Sequence, residues 1–160
     1  MKRVVIVRGI PGSGKSRHAK NLAEEYKSHG SVIVVGADEF FLKQMTSSTG
    51  EEYTVYEFNP FKLPEAHQDC FRRFLEALQK GVNLVIVDNT NIHRWEYQSY
   101  SEATALAGYE LSIIEFRAVT IADVKVCIKR NTHKVPAEYI AKMAVEFEPC
   151  DGATVKAIED

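Results

Sequence analysis

Gly9-Ile10-Pro11-Gly12-Ser13-Gly14-Lys15-Ser16 matches the pattern G-x-x-x-x-G-K-[ST], directly after the aliphatic run Val4-Val5-Ile6-Val7 and ahead of Leu22, Ala23 and Tyr26 at helical spacing. A strand, a glycine-rich turn and a helix start in that order make a phosphate cradle. The glycines permit turns that a Cβ would obstruct, backbone N–H groups converge on phosphate oxygens, and the positive end of the following helix points at the same place. The pattern assigns Gly9, Pro11, Gly12, Ser13 and Gly14 to the cradle, Lys15 to the β- and γ-phosphates of ATP, and the Ser16 hydroxyl to Mg²⁺.

The rest of the chain alternates short β-rich runs with amphipathic segments. Strands are expected at Arg3 to Arg8, Val32 to Val35, Leu84 to Asp88 and Leu111 to Phe116, with an edge strand or a frayed end near Ala153-Thr154-Val155. Helices are expected from Lys15 to His29, over Leu63 to Leu78, from His93 to Ala107, after the capping box at Thr120-Ile121-Ala122-Asp123, and from Pro136 to Phe147. In the third helix the pattern puts Trp95, Tyr100, Ala103 and Leu106 inward. The segment from Asp38 to Lys62 shows no element. The alternation predicts one three-layer α/β domain over residues 1–160, with a mostly parallel sheet of four or five strands. Ligands of such sheets bind at the carboxyl ends of the strands, where Gly9, Asp38 and Asp88 fall.

The chain has 160 residues, 45% hydrophobic and 26% charged, and a formal net charge of −2, which supplies no general attraction to nucleic acid. Any polynucleotide contact must come from a local patch. Cys70, Cys127 and Cys150 are odd in number and at no metal or redox spacing, so they read as reduced thiols, Cys127 in the core. With four apolar residues between Arg3 and Arg8 and no long apolar run, neither signal peptide nor membrane span is expected, and the expected location is cytoplasmic. Oligomeric state is not legible.

Asp88 closes an aliphatic strand, the pattern of a carboxylate holding Mg²⁺ opposite Ser16, although strand-ending Asp residues are also turn formers. Asn89-Thr90-Asn91 follows in place of a hydrolytic Glu, which favours transfer to an acceptor over hydrolysis. Asp38, expected at the end of strand two, can take the proton of an acceptor hydroxyl; its alternative is a loop cap. Arg130 lies with Lys129, His133 and Lys134 where a lid would close on the γ-phosphate, and a helix-end cation is its alternative. Tyr53, Tyr56, Phe58 and Phe61 can stack bases or close a core. His67 with Cys70 lacks further metal ligands.

Arg8–Ser16 (RGIPGSGKS), Ala37–Phe41 (ADEFF), Pro64–Cys70 (PEAHQDC), Val85–Glu96 (VIVDNTNIHRWE), Gly108-Tyr109, Arg130–Pro136 (RNTHKVP) and Ile140–Met143 (IAKM) together resemble the polynucleotide-kinase-like P-loop family. That family includes the kinase domain of phage polynucleotide kinase and the ATP-binding domain of eukaryotic ubiquitin-ligase-binding proteins, and the second group is the better match. The resemblance implies a P-loop kinase with Mg-ATP as donor, Lys15 and Ser16 on phosphates and metal, Asp88 organising the metal, Asp38 activating the acceptor hydroxyl and Arg130 as lid arginine. It implies a single-stranded DNA or RNA 5′ end as acceptor. A small metabolite or nucleotide sugar, or an ATP-binding regulatory module with little turnover, are the other readings. The phage enzymes carry an Arg where Phe41 stands here; Lys43 and Arg94 are the cations able to replace it.

Overall fold

The computed structural model describes residues 1–159. Five parallel strands form the central sheet: β1 (Arg3–Arg8), β2 (Val32–Val35), β5 (Leu84–Asp88), β6 (Glu110–Arg117) and β7 (Thr154–Ala157). Their order is β2-β5-β1-β6-β7. β1 therefore runs through the centre, with Val7 opposite Asp88 on one side and Arg8 opposite Glu115 on the other.

Successive side chains of a strand point to opposite faces, and β1 uses both for burial. Val4 and Ile6 join Val85, Val87, Phe74, Cys70 and Tyr100 under α2 (Leu63–Gln79) and α3 (Arg94–Leu106). Val5 and Val7 join Ile86, Ala19 and Phe116 under α1 (Lys15–Tyr26). A third cluster of Ile10, Ile92, Cys127 and Ile140 lies between the loops at the carboxyl ends of the strands and the pair α4 (Ile121–Arg130) and α5 (Ala137–Glu146). The phosphate-loop sequence thus sits where the sheet meets that helix pair.

Three expectations are corrected. Residues 42–56 carry an antiparallel hairpin, β3 (Leu42–Thr46) with β4 (Glu52–Tyr56), where no element was expected. All of β3 and the first three residues of β4 are exposed, so no buried face imposes the period of two by which strands are read. In α3, Trp95 is 72% and Leu106 90% exposed, while Tyr97, Tyr100 and Thr104 are buried. At about 100° per residue, Trp95 lies roughly 140° and Leu106 roughly 120° around the helix from Tyr100. Helix α1 stops at Tyr26 and not at His29, the His29 amide bonding back to the Tyr26 carbonyl at 2.8 Å. The tail forms β7, parallel to β6, rather than fraying. No helix among the described residues is long and apolar enough to cross a membrane.

Candidate phosphate-loop site

The loop from Gly9 to Ser16 leaves β1 beside the end of β5, the Gly9 amide donating to the Thr90 carbonyl at 3.1 Å. A turn follows, Ser13 N to Ile10 O at 3.1 Å, and α1 begins at Lys15. Gly12 has φ 80°, and a Cβ there would collide with the Cys127 carbonyl of α4. Any other residue would meet both left-handed strain and that clash. Ile10 anchors the loop in the third cluster, while Pro11, Gly12, Gly14 and Lys15 are half-buried and Ser16 is exposed. Ser13 is buried, and its Oγ has no hydrogen-bond partner among the described residues.

Asp88 ends β5, two positions short of the loop in register with β1, and its Oδ1 is buried without a partner among the described residues. A carboxylate oxygen withheld from both water and protein donors fits a cation ligand. The chemistry of Ser16 and Asp88, a hydroxyl and a carboxylate oxygen, suits Mg²⁺.

Asp38 lies in a 3₁₀ turn, Ala37–Phe41, that follows β2, and not on the strand itself. Asn89 ties this turn to the end of β5. Its Oδ1 accepts from the Ala37 amide at 2.8 Å and its Nδ2 donates to Cys70 Sγ at 3.6 Å. On the outer side Arg73 of α2 donates to the Gly36 carbonyl at 2.7 Å and to Glu39 at 2.9 Å, while the Gly36 amide donates to Glu39 at 3.1 Å. Burial raises the Glu39 carboxyl above its ordinary pKa, against the pull of Arg73. Asp38 remains open to solvent. Tyr56 Oη donates to its Oδ1 at 3.2 Å, and His133 Nε2 lies 3.6 Å from its Oδ2. Burial, and then the Asp38 charge and hydrogen bond, push the Tyr56 hydroxyl well above its ordinary pKa.

Arg130 closes α4. Its Nε donates to the Gly12 carbonyl at 3.1 Å and its Nη1 to the Glu159 carbonyl at 2.7 Å, so the guanidinium sits at the rim of the phosphate loop. In the link to α5, Asn131 accepts from the His133 amide at 3.2 Å and donates to the Val135 carbonyl at 2.7 Å. Those bonds shape the loop that carries His133 to Asp38. The structure therefore brings Arg130 to the phosphate loop, Asp88 to the strand beside it, and Asp38 to the turn joined to Asp88 through Asn89. Phe41 is buried in the core, while Lys43 pairs with Glu57 at 2.7 Å and Arg94 bonds the Pro149 carbonyl at 3.1 Å. His67 of α2 is exposed, and Cys70 faces Asn89 and Tyr100.

The sequence reading missed a buried ion pair beneath the site. Arg8, the residue before Gly9, is fully buried against Glu115 of β6. Arg8 also donates to the carbonyls of Asn91 at 2.8 Å, Ile92 at 3.0 Å and Glu148 at 2.8 Å, and its guanidinium lies 4.4 Å from the Tyr97 ring and 4.5 Å from that of Phe147. Glu115 additionally accepts from the Cys150 amide at 2.7 Å and from Arg117 Nε at 2.9 Å. The signal was present: Arg8 closes an aliphatic strand, and Glu115 interrupts Ile113-Ile114-Phe116. A charge in such a run is paired or it is not buried.

Comparison with known proteins agrees with this architecture. A family model described as AAA domain matches residues 4–149. Human NEDD4-binding protein 2 is 30% identical over 145 residues, and rat YLP motif-containing protein 1 is 26% identical over 157. In each case 91% of this chain is covered, but the chain spans only 8% and 11% of those proteins' lengths. Among solved structures, the Pnkp1/Rnl/Hen1 RNA repair complex superimposes with TM-score 0.63 at 21% identity, covering 91% of this chain and 44% of that one. The Mycobacterium tuberculosis APS kinase CysC with AMPPNP and APS gives 0.62 at 16%, covering 99% and 90%. A gluconokinase from Sinorhizobium meliloti 1021 gives 0.59 at 15%, covering 99% and 83%. These structures share the fold of P-loop kinases, and with the phosphate loop, strands β2, β5 and β6, nearly all of β1 and Arg130 inside the matched residues, the chain belongs to the AAA domain family.

Proposed function

We propose that this chain is an ATP-dependent kinase that moves the γ-phosphate to a hydroxyl acceptor, preferentially the 5′-hydroxyl end of single-stranded DNA or RNA. The single observation that carries the reading is the tie through Asn89, which holds the solvent-facing Asp38 in fixed relation to Asp88 beside the phosphate loop. A module that only binds ATP needs the loop and a metal site; it has no use for a second, braced carboxylate.

Each residue then has a task. Gly9, Pro11, Gly12, Ser13 and Gly14 shape the cradle, Lys15 reaches the β- and γ-phosphates, and Ser16 and Asp88 hold Mg²⁺. When bound, that ion neutralises phosphate charge. Asp38 accepts the proton of the acceptor hydroxyl as its oxygen bonds to the γ-phosphorus and ADP departs, a role typically contributing about 10²- to 10⁴-fold in rate. Arg130, at the rim, turns to the γ-oxygens. The three cysteines are free thiols, in keeping with a reducing, cytoplasmic setting.

The gluconokinase and APS kinase likenesses, each covering 99% of the chain, favour a second reading with a small acceptor. Labelled ATP offered with 5′-hydroxyl DNA and RNA oligonucleotides, nucleosides, sugar acids and nucleotide sugars tests both. Transfer to an oligonucleotide end is the expected result; efficient transfer to a small molecule with none to either oligonucleotide would overturn the acceptor. Absence of transfer to anything, with ATP bound, would leave only the binding module.

A further inference from the structure

Asp38 is not a bare carboxylate. One oxygen receives the Tyr56 hydroxyl at 3.2 Å and the other faces His133 Nε2 at 3.6 Å, and the two rings that deliver these groups lie against each other, centroids 4.8 Å apart and tilted 50°. The Asp38 side chain is 61% exposed, so an acceptor hydroxyl that approaches it from solvent comes up beside these two rings. Tyr56 is fixed: it sits on β4 in register with Leu42 and packs against Phe41 at 6.0 Å and Phe58 at 6.5 Å. His133 is the weaker partner, carried on the link between α4 and α5, its side chain 45% exposed, at a distance too long for a hydrogen bond. His133 is therefore the ring able to move aside. Its departure bares a tyrosine face whose hydroxyl stays on Asp38, and any group then stacked on that face is a neighbour of the hydroxyl being activated.

We propose that Tyr56 and His133 form a two-ring clamp for a planar ring of the acceptor, a nucleobase, which enters between them as its hydroxyl takes the place of His133 on Asp38. This rests on the kinase reading for its chemistry but not for its binding. The clamp sets specificity: a ring-bearing acceptor gains a stacking partner on each side, whereas an open-chain sugar acid leaves both rings wet. Base–aromatic stacking is sequence-tolerant, because every base has a π-face, so the site selects for a base and not for which base.

The test measures binding and transfer separately. Calorimetry with a 5′-hydroxyl thymidine pentanucleotide, and with the same strand carrying an abasic 5′-terminal residue, reads the ring term without catalysis. The wild type is expected to prefer the base-bearing strand by about 5- to 150-fold, the range that one stacked base supplies. Tyr56→Leu should abolish that preference, Tyr56→Phe should retain it, and His133→Ala should reduce it; circular dichroism checks that each variant is folded. Free thymidine as a third ligand distinguishes a nucleoside from a chain end as the source of the ring, and Tyr56-dependent binding of either supports the clamp. Equal affinity of the wild type for base-bearing and abasic strands, a preference that survives Tyr56→Leu, or no binding of any of the three ligands would overturn it. Base-dependent binding with no labelled phosphate transferred to any acceptor would instead remove the kinase reading and leave the clamp standing.

Discussion

Replacing Glu115 by glutamine keeps the shape of the side chain and removes the charge that neutralises Arg8. Both side chains are wholly buried, so water cannot take over. Breaking a buried pair by removing one partner typically costs about 3–5 kcal/mol, because an uncompensated charge remains. Two features move the expectation to the lower end, about 3 kcal/mol. Arg8 keeps its three carbonyl acceptors and its two ring faces, and Arg117, 30% exposed, can turn to solvent once released. Arg8→Met is expected to cost more, since it strands the carbonyls of Asn91, Ile92 and Glu148, at about 1–3 kcal/mol for each buried acceptor left unpaired. For a chain of this size about 1 kcal/mol shifts Tm by about 2–4 °C, so Glu115→Gln should lower it by about 6–12 °C. Thermal and urea unfolding followed by circular dichroism read the change, which should appear as a shifted midpoint at unchanged m. Because the pair is shielded, salt at about 0.5 M should leave the difference between variant and parent intact, whereas a surface pair would be screened. A loss below about 1 kcal/mol, or one that salt erases, would refute the claim that this pair is a buried, mutually dependent unit.

Lys15→Ala should remove useful ATP affinity while leaving the fold intact, since Lys15 is only half-buried at the first turn of α1; calorimetry showing wild-type affinity in the folded variant would reject the loop assignment. Asp38→Asn should keep ATP affinity within a few-fold and slow transfer by at least about 10²-fold at saturating acceptor, and full activity would make Asp38 a structural cap. Burial pushes the Cys70 and Cys127 thiols above the ordinary thiol pKa, so less of each is thiolate at any pH below that raised value. Iodoacetamide at a pH of about 8, near the ordinary thiol pKa, should therefore mark the native protein at Cys150 alone and all three cysteines after denaturation, as counted by mass spectrometry.

The parallel sheet was legible because its central strands are buried on both faces and read as unbroken aliphatic runs; Val4 to Val7 and Leu84 to Val87 have no other interpretation once a glycine-rich turn follows the first. The hairpin was not legible, because Leu42 to Thr46 and Glu52 to Thr54 are exposed along their whole length and bury neither face. The same limit applies at the site. Gly9 to Ser16 and Asp88 announce themselves by local spacing, but the partners of Asp38 come from positions 56 and 133, the first beyond a hairpin turn and the second beyond α2, α3 and α4, and no local pattern joins them. Arg8 and Glu115 were visible as charges in apolar strands, yet only the register of β1 against β6 sets them opposite each other.

That pairing also bears on when the site can form. The four bonds of Arg8 close separations of 83, 107, 84 and 140 positions, so none rewards the chain until most of it has been gathered. Until β6 and the segment at Glu148 arrive, the end of β1 must stay hydrated, because a lone guanidinium is costly to bury. During synthesis the phosphate loop that begins at the very next residue is thus expected to reach its final shape only once the segment at Glu148 is available to Arg8.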